Sequence, residues 1–529
     1  KNKNFNYLNM ESSIIGYSRG DASAQTFQAV NPASGTNIEV NYAMASAEEV
    51  ADACELASKA AFPMAQFSGH KKAEFLNKLA DGIDGIVEEL VATMTAETGL
   101  PEPRVRAETG RTTAQLRMFA NLVEDGNWVD ARIDNAQPDR QPLPKPDLRT
   151  MLRPVGPVAV FCASNFPLAF SVAGGDSASA WAAGCPVVVK AHHAHPGTAL
   201  LVGNAVVAAL KKCDWPEGAF SLLFGEGRTI GQALVKNKHI KAVGFTGSRS
   251  GGRALFDIAN AREEPIPVFA EMSSVNPVFV LPGMESNEID GFTSGLMGSA
   301  TLGVGQFCTN PGIVFHPGGE FGEQLKSAYI EKMKSVDACP MLHSGIRDAY
   351  QKGINELKSC EGVRLEYISD ESSVNEGGSH AGPCVLSASV RDFLNDSAMM
   401  EEVFGPSTLL ISYDDSSQLI EVASKMEGQL TASVFGKEKD LQTEDLLMSH
   451  LEMIAGRILF NQFPTGVEVC ASVVHGGPYP ATTDGRSTSV GTGAILRFAR
   501  PVCFQGFPDE WLPDELKEAN PLGLSRSES

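Results

Sequence analysis

The sequence predicts an α/β protein with two lobes, each built around a parallel sheet. From Arg149 onward, short β-branched or apolar runs that end in turn residues alternate with helical stretches, in units of about thirty residues. A second series of the same kind begins at NPVFVLPG and ends at RILFNQF. Because each series alternates strand with helix, each predicts βαβ units. The length of 529 residues accommodates two or three domains.

Helices are predicted ahead of the first series, over residues 46–93 and again in RVRAETGRTTAQLRMFANLVEDG. Ser46 is a candidate N-cap, and Glu49, three residues later, would complete a capping box. Small apolar residues then recur at helical spacing. The next segment, IDNAQPDRQPLPKPDLR, contains four prolines and is therefore expected to be an extended connector or an edge strand.

In the first series the predicted strands lie in TMLRPVGPVAVFCASNFP, GCPVVVKAH, AFSLLFG and IKAVGFTGS, with helices between them. The second series adds GIVFHPGG, STLLISYD and LTASVFG. The polar segment 369–382 is expected to be a surface loop. Near the end, GAILRFARPVCFQGFP is expected to include a late strand, and PDELKEANPLGLSRSES a polar tail.

Composition excludes several classes of partner. The formal net charge is -21, with 43 Lys+Arg against 64 Asp+Glu, so no broad basic surface exists for nucleic acid or an anionic membrane. The ten cysteines include no CxxC pair, which argues against a zinc or dithiol site and fits a reducing compartment. No apolar run is long enough to span a membrane and the N-terminus has no signal-like apolar region. We therefore expect a cytoplasmic protein without a metal.

One cysteine stands apart from the others. Cys308 lies in GQFCTNPG, among small, polar and turn-forming residues where the backbone can approach a ligand closely. It is either a reactive thiol or a small hydrophobic residue that happens to lie at a turn.

Three further motifs could carry chemistry, and each also has a structural explanation. The turn GFTGSRSGG, 244–252, lies between a strand and a helix, as a pyrophosphate-binding turn does, but its spacing is not GxGxxG. Glu271 is a general base whose proton affinity burial would raise, or a carboxylate tied to backbone N–H groups. Asn165 is an oxyanion donor or a turn residue near a proline.

Two other motifs are weaker. EEVFGP, 401–406, is explained by a helix end followed by a turn. HHAH, 192–195, suggests metal binding, but the following Pro196 and the lack of an ordered ligand spacing favour the entry to a helix.

The order and spacing of these motifs resemble the aldehyde dehydrogenase superfamily over nearly the whole chain, from about residue 28 to about residue 507. The residues that carry the resemblance are Asn165, Lys190, the turn 244–252, Glu271, Cys308 and EEVFGP. NPASGTNIEV, VKAHHAHPGT and FPTGVEVCASVVHGGPYPATTDGRSTSVGT are similar to a branch of NADP-dependent enzymes. That branch includes 2-oxoglutarate semialdehyde (2,5-dioxopentanoate) dehydrogenase and a bacterial long-chain fatty aldehyde dehydrogenase.

The resemblance implies a catalytic role for three residues. Cys308 would be the nucleophile, in an open, electropositive pocket, and would form a thioester that water hydrolyses. The backbone N–H of Cys308 and the side chain of Asn165 would stabilise the oxyanion. Glu271 would activate the water. A CoA-acylating enzyme usually lacks such a carboxylate, and a non-catalytic member would be free to lose all three residues, so both alternatives are disfavoured.

The resemblance also implies a nicotinamide cofactor. Lys190 would bind the adenosine ribose, Glu402 and Phe404 the nicotinamide ribose, and the residues of the phosphate turn would be Gly247, Ser248 and Gly252. His193 occupies the position at which NAD-preferring relatives carry a Glu, so no carboxylate is expected there to repel a 2′-phosphate. Arg228 is expected to reach that phosphate. NADP is therefore expected to be preferred, with NAD as a possible cofactor.

The substrate by this resemblance is a small aldehyde. Arg111, on a helix that lines the tunnel in the family, would clamp the far carboxylate of a semialdehyde or would be an exposed helix residue. Phe166, Phe170 and Phe463 would form the apolar wall. The most favoured substrate is 2-oxoglutarate semialdehyde, and the alternative is a broad-range or long-chain aldehyde.

The implied architecture is two Rossmann-like lobes with a small β element. The dinucleotide-binding domain would use residues 20–132 and 154–270, and the catalytic domain 271–490. Segments 133–153 and 494–529 would form a bridging element and a C-terminal tail. In this family the bridging element adds strands to a partner's sheet, so a homodimer or homotetramer is expected.

Overall fold

The computed structural model describes residues 10–22, 25–370 and 377–529, and its elements follow the predicted alternation. The α-helices of these residues are α1 Ala47–Met64, α2 Gly69–Asp84, α3 Val87–Thr98, α4 Glu102–Asp125, α5 Gly175–Ala183, α6 Pro196–Lys212, α7 Gln232–Lys236, α8 Arg249–Asn260, α9 Ile289–Thr301, α10 Gly319–Met333, α11 Ser344–Ser359, α12 Val390–Asn395, α13 Ser417–Lys425, α14 Glu438–Thr443 and α15 Asp445–Ile454.

The strands are β1 Met10–Glu11, β2 Ile14–Ile15, β3 Ser18–Arg19, β4 Thr26–Phe27, β5 Val30–Asn31, β6 Thr36–Asn37, β7 Asn41–Ala43, β8 Arg132–Asp134, β9 Leu148–Pro154, β10 Val158–Phe161, β11 Val187–Lys190, β12 Phe220–Leu223, β13 Ala242–Thr246, β14 Val268–Glu271, β15 Val278–Val280, β16 Ile313–Pro317, β17 Cys339–Pro340, β18 Arg364–Ile368, β19 His380–Ala381, β20 Cys384–Ser389, β21 Ser407–Tyr413, β22 Gln429–Phe435, β23 Ala455–Phe460, β24 Ala499–Gln505 and β25 Ser527–Glu528.

The first helix begins as its local sequence predicts. Ser46 Oγ accepts the N–H of Glu49 at 3.1 Å, and Glu49 Oε2 accepts the N–H of Ser46 at 2.7 Å. This confirms the predicted capping box. The helical run that follows is broken between Gly85, which caps α2, and Val87, where α3 begins.

The first large sheet has seven strands in the order β14-β13-β10-β11-β12-β2-β3. Its strands β10 to β14 are parallel, and β2 joins β12 in the antiparallel sense. Strands β10, β11 and β12 are buried along their whole length, which explains their nearly continuous apolar sequence. The chain reverses its direction of strand addition between β10 and β13, and ligands of such sheets bind at the carboxyl ends beside this point.

The second large sheet has seven strands in the order β18-β20-β21-β16-β15-β22-β23. All of its pairs are parallel except β18 with β20. Each predicted strand of the second series lies in this sheet. The expected α/β fold with two lobes is therefore confirmed.

A smaller sheet has the order β24-β9-β8-β25, with β24 and β9 antiparallel over seven residue pairs. The predicted late strand is β24, and it lies at the edge of this sheet. The segment that follows is more than a polar tail. Its residues Leu512, Leu516 and Leu524 are buried against Val129 and Met151.

Part of the polar segment 369–382 lies outside the described residues, since 371–376 are not described. Among its other residues, His380 and Ala381 form β19, which pairs with β17. No helix in the described ranges is both long and apolar enough to cross a membrane.

Candidate active site

Cys308 lies in the loop between α9 and β16, and two features explain the glycines and amides around it. Gly305 has φ +66°, and a Cβ on it would lie 2.3 Å from the backbone of Gly405, so only glycine fits where this loop meets the turn of EEVFGP. The buried Asn276 donates its Nδ2 group to the carbonyls of Cys308 at 2.8 Å and Asn310 at 2.9 Å. The loop is therefore fixed from both sides.

Glu271 is the last residue of β14 and is almost fully buried. Its Oε2 accepts a hydrogen bond from Ser489 Oγ at 2.8 Å, and its Oε1 lies 3.0 Å from Nε2 of His475. The same Nε2 lies 3.4 Å from Sγ of Cys308. The structure therefore brings Glu271 and Cys308 together, as the sequence predicts, and adds His475 between them.

His475 is the residue that sequence reasoning missed. It lies in the segment FPTGVEVCASVVHGGPYP, which was used only as a marker of resemblance. The ring is almost completely buried, and its Nδ1 has no hydrogen-bond partner among the described residues. The local signal was a single histidine before a Gly-Gly pair, which by itself does not distinguish a core residue from a site residue.

The pKa values of Glu271 and Cys308 differ from expectation. Burial acts to raise the pKa of Glu271, but His475 and the hydrogen bonds from His475, Ser489 and Cys308 outweigh it and hold that pKa below its usual value. Burial and the neighbouring Glu271 raise the pKa of the Cys308 thiol well above its usual value. The expected rise in the proton affinity of Glu271 is therefore wrong. The resting pair is a thiol beside a carboxylate.

Asn165 lies beside the Cys308 loop. Its Nδ2 donates to the carbonyl of Gln306 at 3.1 Å, two residues before Cys308. The segment that carries Asn165 is held by Glu108 of α4, whose Oε1 accepts the N–H groups of Leu168 at 2.9 Å and Ala169 at 3.0 Å. A buried carboxylate on α4 thus positions the proposed oxyanion donor.

Arg111 is not an exposed helix residue. Its guanidinium lies over the rings of Phe166 and Phe170, at 5.5 Å and 5.4 Å from their centroids. Its Nε is buried and has no hydrogen-bond partner among the described residues. Burial lowers the pKa of Arg111, while Glu108 and Cys308 act in the opposite direction. Arg111 is therefore a half-buried cation within electrostatic reach of the thiol.

The apolar wall is only partly as predicted. Phe166 and Phe170 pack edge to face at 5.2 Å, and Phe307 joins them at 5.1 Å from Phe166. Phe463 lies elsewhere, because its ring packs on Phe292 and Phe435 in the core of the second lobe. The apolar residues that join Phe166 and Phe170 instead are Val467, Val469, Val473 and Val490.

The predicted phosphate turn is a strand-to-helix turn. It connects β13 to α8, and Ser248 caps the helix by accepting the N–H of Gly251 at 3.2 Å. A Cβ on Gly252 would lie 2.7 Å from the side chain of Met272, so glycine allows α8 to approach β14 closely. The N–H of Gly247 is already donated to the carbonyl of Glu271 at 3.1 Å. The turn before α8 is thus tied to the end of β14 through the main chain of Glu271.

Lys190 ends β11, is almost fully buried, and forms no ion pair within residues 10–22, 25–370 and 377–529. Burial lowers its pKa to about 8, while the nearby Cys162 and Glu226 raise it. His193 and Arg228 are exposed. A carboxylate, that of Glu226, lies on the same turn as Arg228 and acts on Lys190.

Glu402 and Phe404 line one cavity together with Ser274 and Asn310. Burial raises the pKa of Glu402 to about 7, against hydrogen bonds from Ser273 and Ser274. Asn310 belongs to the Cys308 loop. The two residues predicted to hold the nicotinamide ribose, Glu402 and Phe404, therefore lie beside that loop.

The family is decided by a sequence comparison over most of the chain. Residues 19–480 match the model of the Aldehyde dehydrogenase family. The chain belongs to the aldehyde dehydrogenase family. The predicted membership is thus confirmed.

Two curated relatives of this aldehyde dehydrogenase are similar over nearly their full length. Alpha-ketoglutaric semialdehyde dehydrogenase 2 of Azospirillum brasilense is 47% identical over 519 residues, which are 97% of each chain. Alpha-ketoglutaric semialdehyde dehydrogenase of Acinetobacter baylyi is 42% identical over 514 residues, again 97% of each. Among solved structures, 3,6-anhydro-L-galactose dehydrogenase in complex with NAP has a TM-score of 0.81 at 21% identity, covering 94% of this chain and 99% of that one.

Proposed function

We propose that this aldehyde dehydrogenase oxidises 2-oxoglutarate semialdehyde to 2-oxoglutarate through a thioester on Cys308, with NADP as the preferred cofactor. The observation that carries the substrate assignment is Arg111, a cation that lies over the packed rings of Phe166 and Phe170 and whose charge interacts with Cys308. A half-buried guanidinium whose Nε has no hydrogen-bond partner in the described ranges is suited to a carboxylate at the far end of a short substrate. The two relatives at 47% and 42% identity, named for alpha-ketoglutaric semialdehyde, support this assignment.

The residues present fit a nicotinamide cofactor. Lys190 is a buried ammonium without an ion pair in the described ranges, available to ribose hydroxyls. The glycine turn before α8 suits a pyrophosphate, and Glu402 with Phe404 would hold the nicotinamide ribose beside the thiol. When bound, the cofactor supplies the acceptor for the hydride whose loss converts the Cys308 thiohemiacetal into a thioester.

Glu271 is the base for two proton transfers, one from the Cys308 thiol and one from the water that hydrolyses the thioester. Because the thiol has a raised pKa, Cys308 needs a base before it attacks the aldehyde carbon, and the carboxylate of Glu271 is hydrogen-bonded to it. His475 and Ser489 orient that carboxylate. The Asn165 amide and the Cys308 N–H stabilise the oxyanion. Once the thiol proton has passed to solvent, Glu271 takes the proton of the water that hydrolyses the thioester and returns it to the Cys308 thiolate that leaves.

NADP preference and assembly belong to the same proposal. His193 leaves no carboxylate at the position three residues after Lys190, where it would exclude a 2′-phosphate, and Arg228 is exposed on a nearby turn. The edge strand β24 supports a homodimer or homotetramer by addition of strands from a partner.

The parallel strands β10 to β14 support a cofactor domain at 20–132 and 154–270, with 271–490 as the catalytic domain. Ten free thiols support a cytoplasmic location.

The test compares 2-oxoglutarate semialdehyde with a long-chain alkanal by kcat/KM for NADP reduction. We expect the acid semialdehyde to be preferred by about a hundredfold, or ~2.7 kcal/mol. Arg111→Met should remove most of this preference and leave the alkanal rate unchanged. Arg117→Ala is the matched control, since this arginine of α4 pairs with Asp81 and Asp84 at the surface. A tie in the wild type would instead favour the long-chain aldehyde function.

The CoA-acylating alternative is tested in the same assay. With Glu271 beside the thiol, acid should be released without CoA. Release only in the presence of CoA would contradict the proposed deacylation by water.

A further inference from the structure

Four histidines meet where the two lobes adjoin. His192, His193 and His195 follow β11, and His343 immediately precedes α11. The ring centroids are 4.4 Å apart for His192 and His193, 5.3 Å for His193 and His343, and 5.8 Å for His192 and His343. One ligand nitrogen of each of these three rings lies within 4.8 Å of the other two.

Few hydrogen bonds engage the ring nitrogens of these histidines. In the described part of the chain, the rings of His193 and His343 form no hydrogen bond. Nδ1 of His192 accepts only a long bond, 3.2 Å, from the N–H of Ala194. His195 differs, because its Nε2 lies 2.8 Å from the carbonyl of Ala163 and its ring is fully buried at the start of α6. Three imidazoles are thus available and one has a structural role.

We propose that His192, His193 and His343 bind one divalent transition-metal ion, of the zinc class. Imidazole nitrogen is a preferred ligand of Zn²⁺, Cu²⁺ and Ni²⁺. Three protein ligands plus water is a common zinc arrangement, with Zn–N of about 2.0–2.1 Å and hence ligand nitrogens about 3.4 Å apart. The ligand nitrogens, which lie within 4.8 Å of one another, therefore need to approach each other by at most about 1.4 Å.

Access and connectivity support this site. His193 is exposed, so an ion can enter from solvent and keep water in its fourth position. His192 and His343 are half-buried and set the base of the site. The sequence pattern HHAH lacks metal-ligand spacing because the third ligand comes from the start of a helix in the other lobe. Bound metal would tether the loop after β11 to α11.

The experiment must separate this site from the catalytic cluster, since Glu271, Cys308 and His475 also place ligand atoms within 4.8 Å of one another. Full-length Cys308→Ser protein is titrated with Co²⁺, followed by visible absorption and equilibrium dialysis, and then with Zn²⁺ in competition. We expect one equivalent of Co²⁺, displaced by one equivalent of Zn²⁺, and a higher Tm with Zn²⁺ present.

Substitutions then assign the ligands. His193→Gln and His343→Gln, each in the Cys308→Ser chain, should weaken the Kd for Zn²⁺ at least tenfold and abolish its effect on Tm. His70→Ala is the control, because His70 is an exposed histidine paired with Glu124, and it should bind as before. His193 is at the surface, so its replacement leaves the fold intact. Absence of stoichiometric binding, or a Kd unchanged by His193→Gln, overturns the proposal.

Discussion

Cys308 and His475 are 167 positions apart in the sequence, yet Sγ of Cys308 lies 3.4 Å from Nε2 of His475. The same nitrogen lies 3.0 Å from Oε1 of Glu271. Burial alone would favour the protonated form of Glu271, but His475 helps to keep this carboxylate ionised. The neighbouring thiol of Cys308 stays protonated. We infer that His475 positions Glu271 and sets its pKa.

Replacing His475 by Gln should lower kcat/KM by about a hundredfold, the lower end of the usual range for acid–base groups. It should also move the acid limb of the pH profile to higher pH, because His475 lowers the pKa of Glu271 and its loss lets burial raise that pKa. The measurement is kcat/KM between pH 5 and 9. His70→Ala should leave the profile unchanged. An equal loss at every pH would contradict the inferred effect on Glu271.

Glu271→Gln should make Cys308 easier to alkylate at pH 7 while it abolishes most turnover. The negative charge of Glu271 and its hydrogen bond raise the pKa of the thiol, so their removal lowers that pKa and increases the thiolate fraction. Iodoacetamide labelling is followed by peptide mass spectrometry, which separates Cys308 from the exposed cysteines. Glu264→Gln, at an exposed carboxylate paired with Lys241, is the matched control. Slower labelling of Glu271→Gln would show that the carboxylate ionises the thiol in the resting state.

Arg228→Ala should raise the KM for NADP by about tenfold to a hundredfold, which corresponds to the ~1.5–3 kcal/mol of a hydrogen bond to a charged group. The KM for NAD should not change, because NAD lacks the 2′-phosphate. Steady-state kinetics with both cofactors provide the measurement, and Lys238→Ala, at a nearby exposed cation, is the control. Preference for NAD in the wild type, unaltered by Arg228→Ala, would refute the assigned role.

Asp176→Ala should destabilise the protein by about 3–5 kcal/mol, because it leaves Arg497 buried without its anion. Nη1 of Arg497 lies 2.8 Å from Oδ1 of Asp176, and both side chains are almost completely buried. This pair joins α5 to the segment before β24. Denaturant unfolding measures the loss. Asp81→Ala breaks an exposed pair with Arg117 and should cost less than about 1 kcal/mol. Equal effects of the two substitutions would refute the buried-pair argument.

Much of the fold was predictable because its signals are local. The capping box at Ser46 depends on residues three positions apart, and the valine-rich β11 is apolar because both faces of its sheet are covered. The position of Cys308 in a glycine-rich turn was visible as well, although its cause, the contact between Gly305 and Gly405, was not.

Other features depend on residues far apart in the chain. Phe463 was predicted to line the substrate wall, but its ring faces Phe292 and Phe435, a choice that only the packing of the second lobe makes. The tail was predicted from its polarity, but its few leucines decide where it packs.

The sequence by itself determined the alternation of strands and helices, the family and the identity of the thiol and carboxylate, because periodicity, capping and motif order are properties of neighbouring residues. Only the tertiary structure decided that His475 stands between Cys308 and Glu271, that Arg111 lies against two phenylalanine rings, and that the carboxylate rather than the thiol carries the charge. Those properties depend on distance and desolvation, which arise when segments remote in sequence pack together.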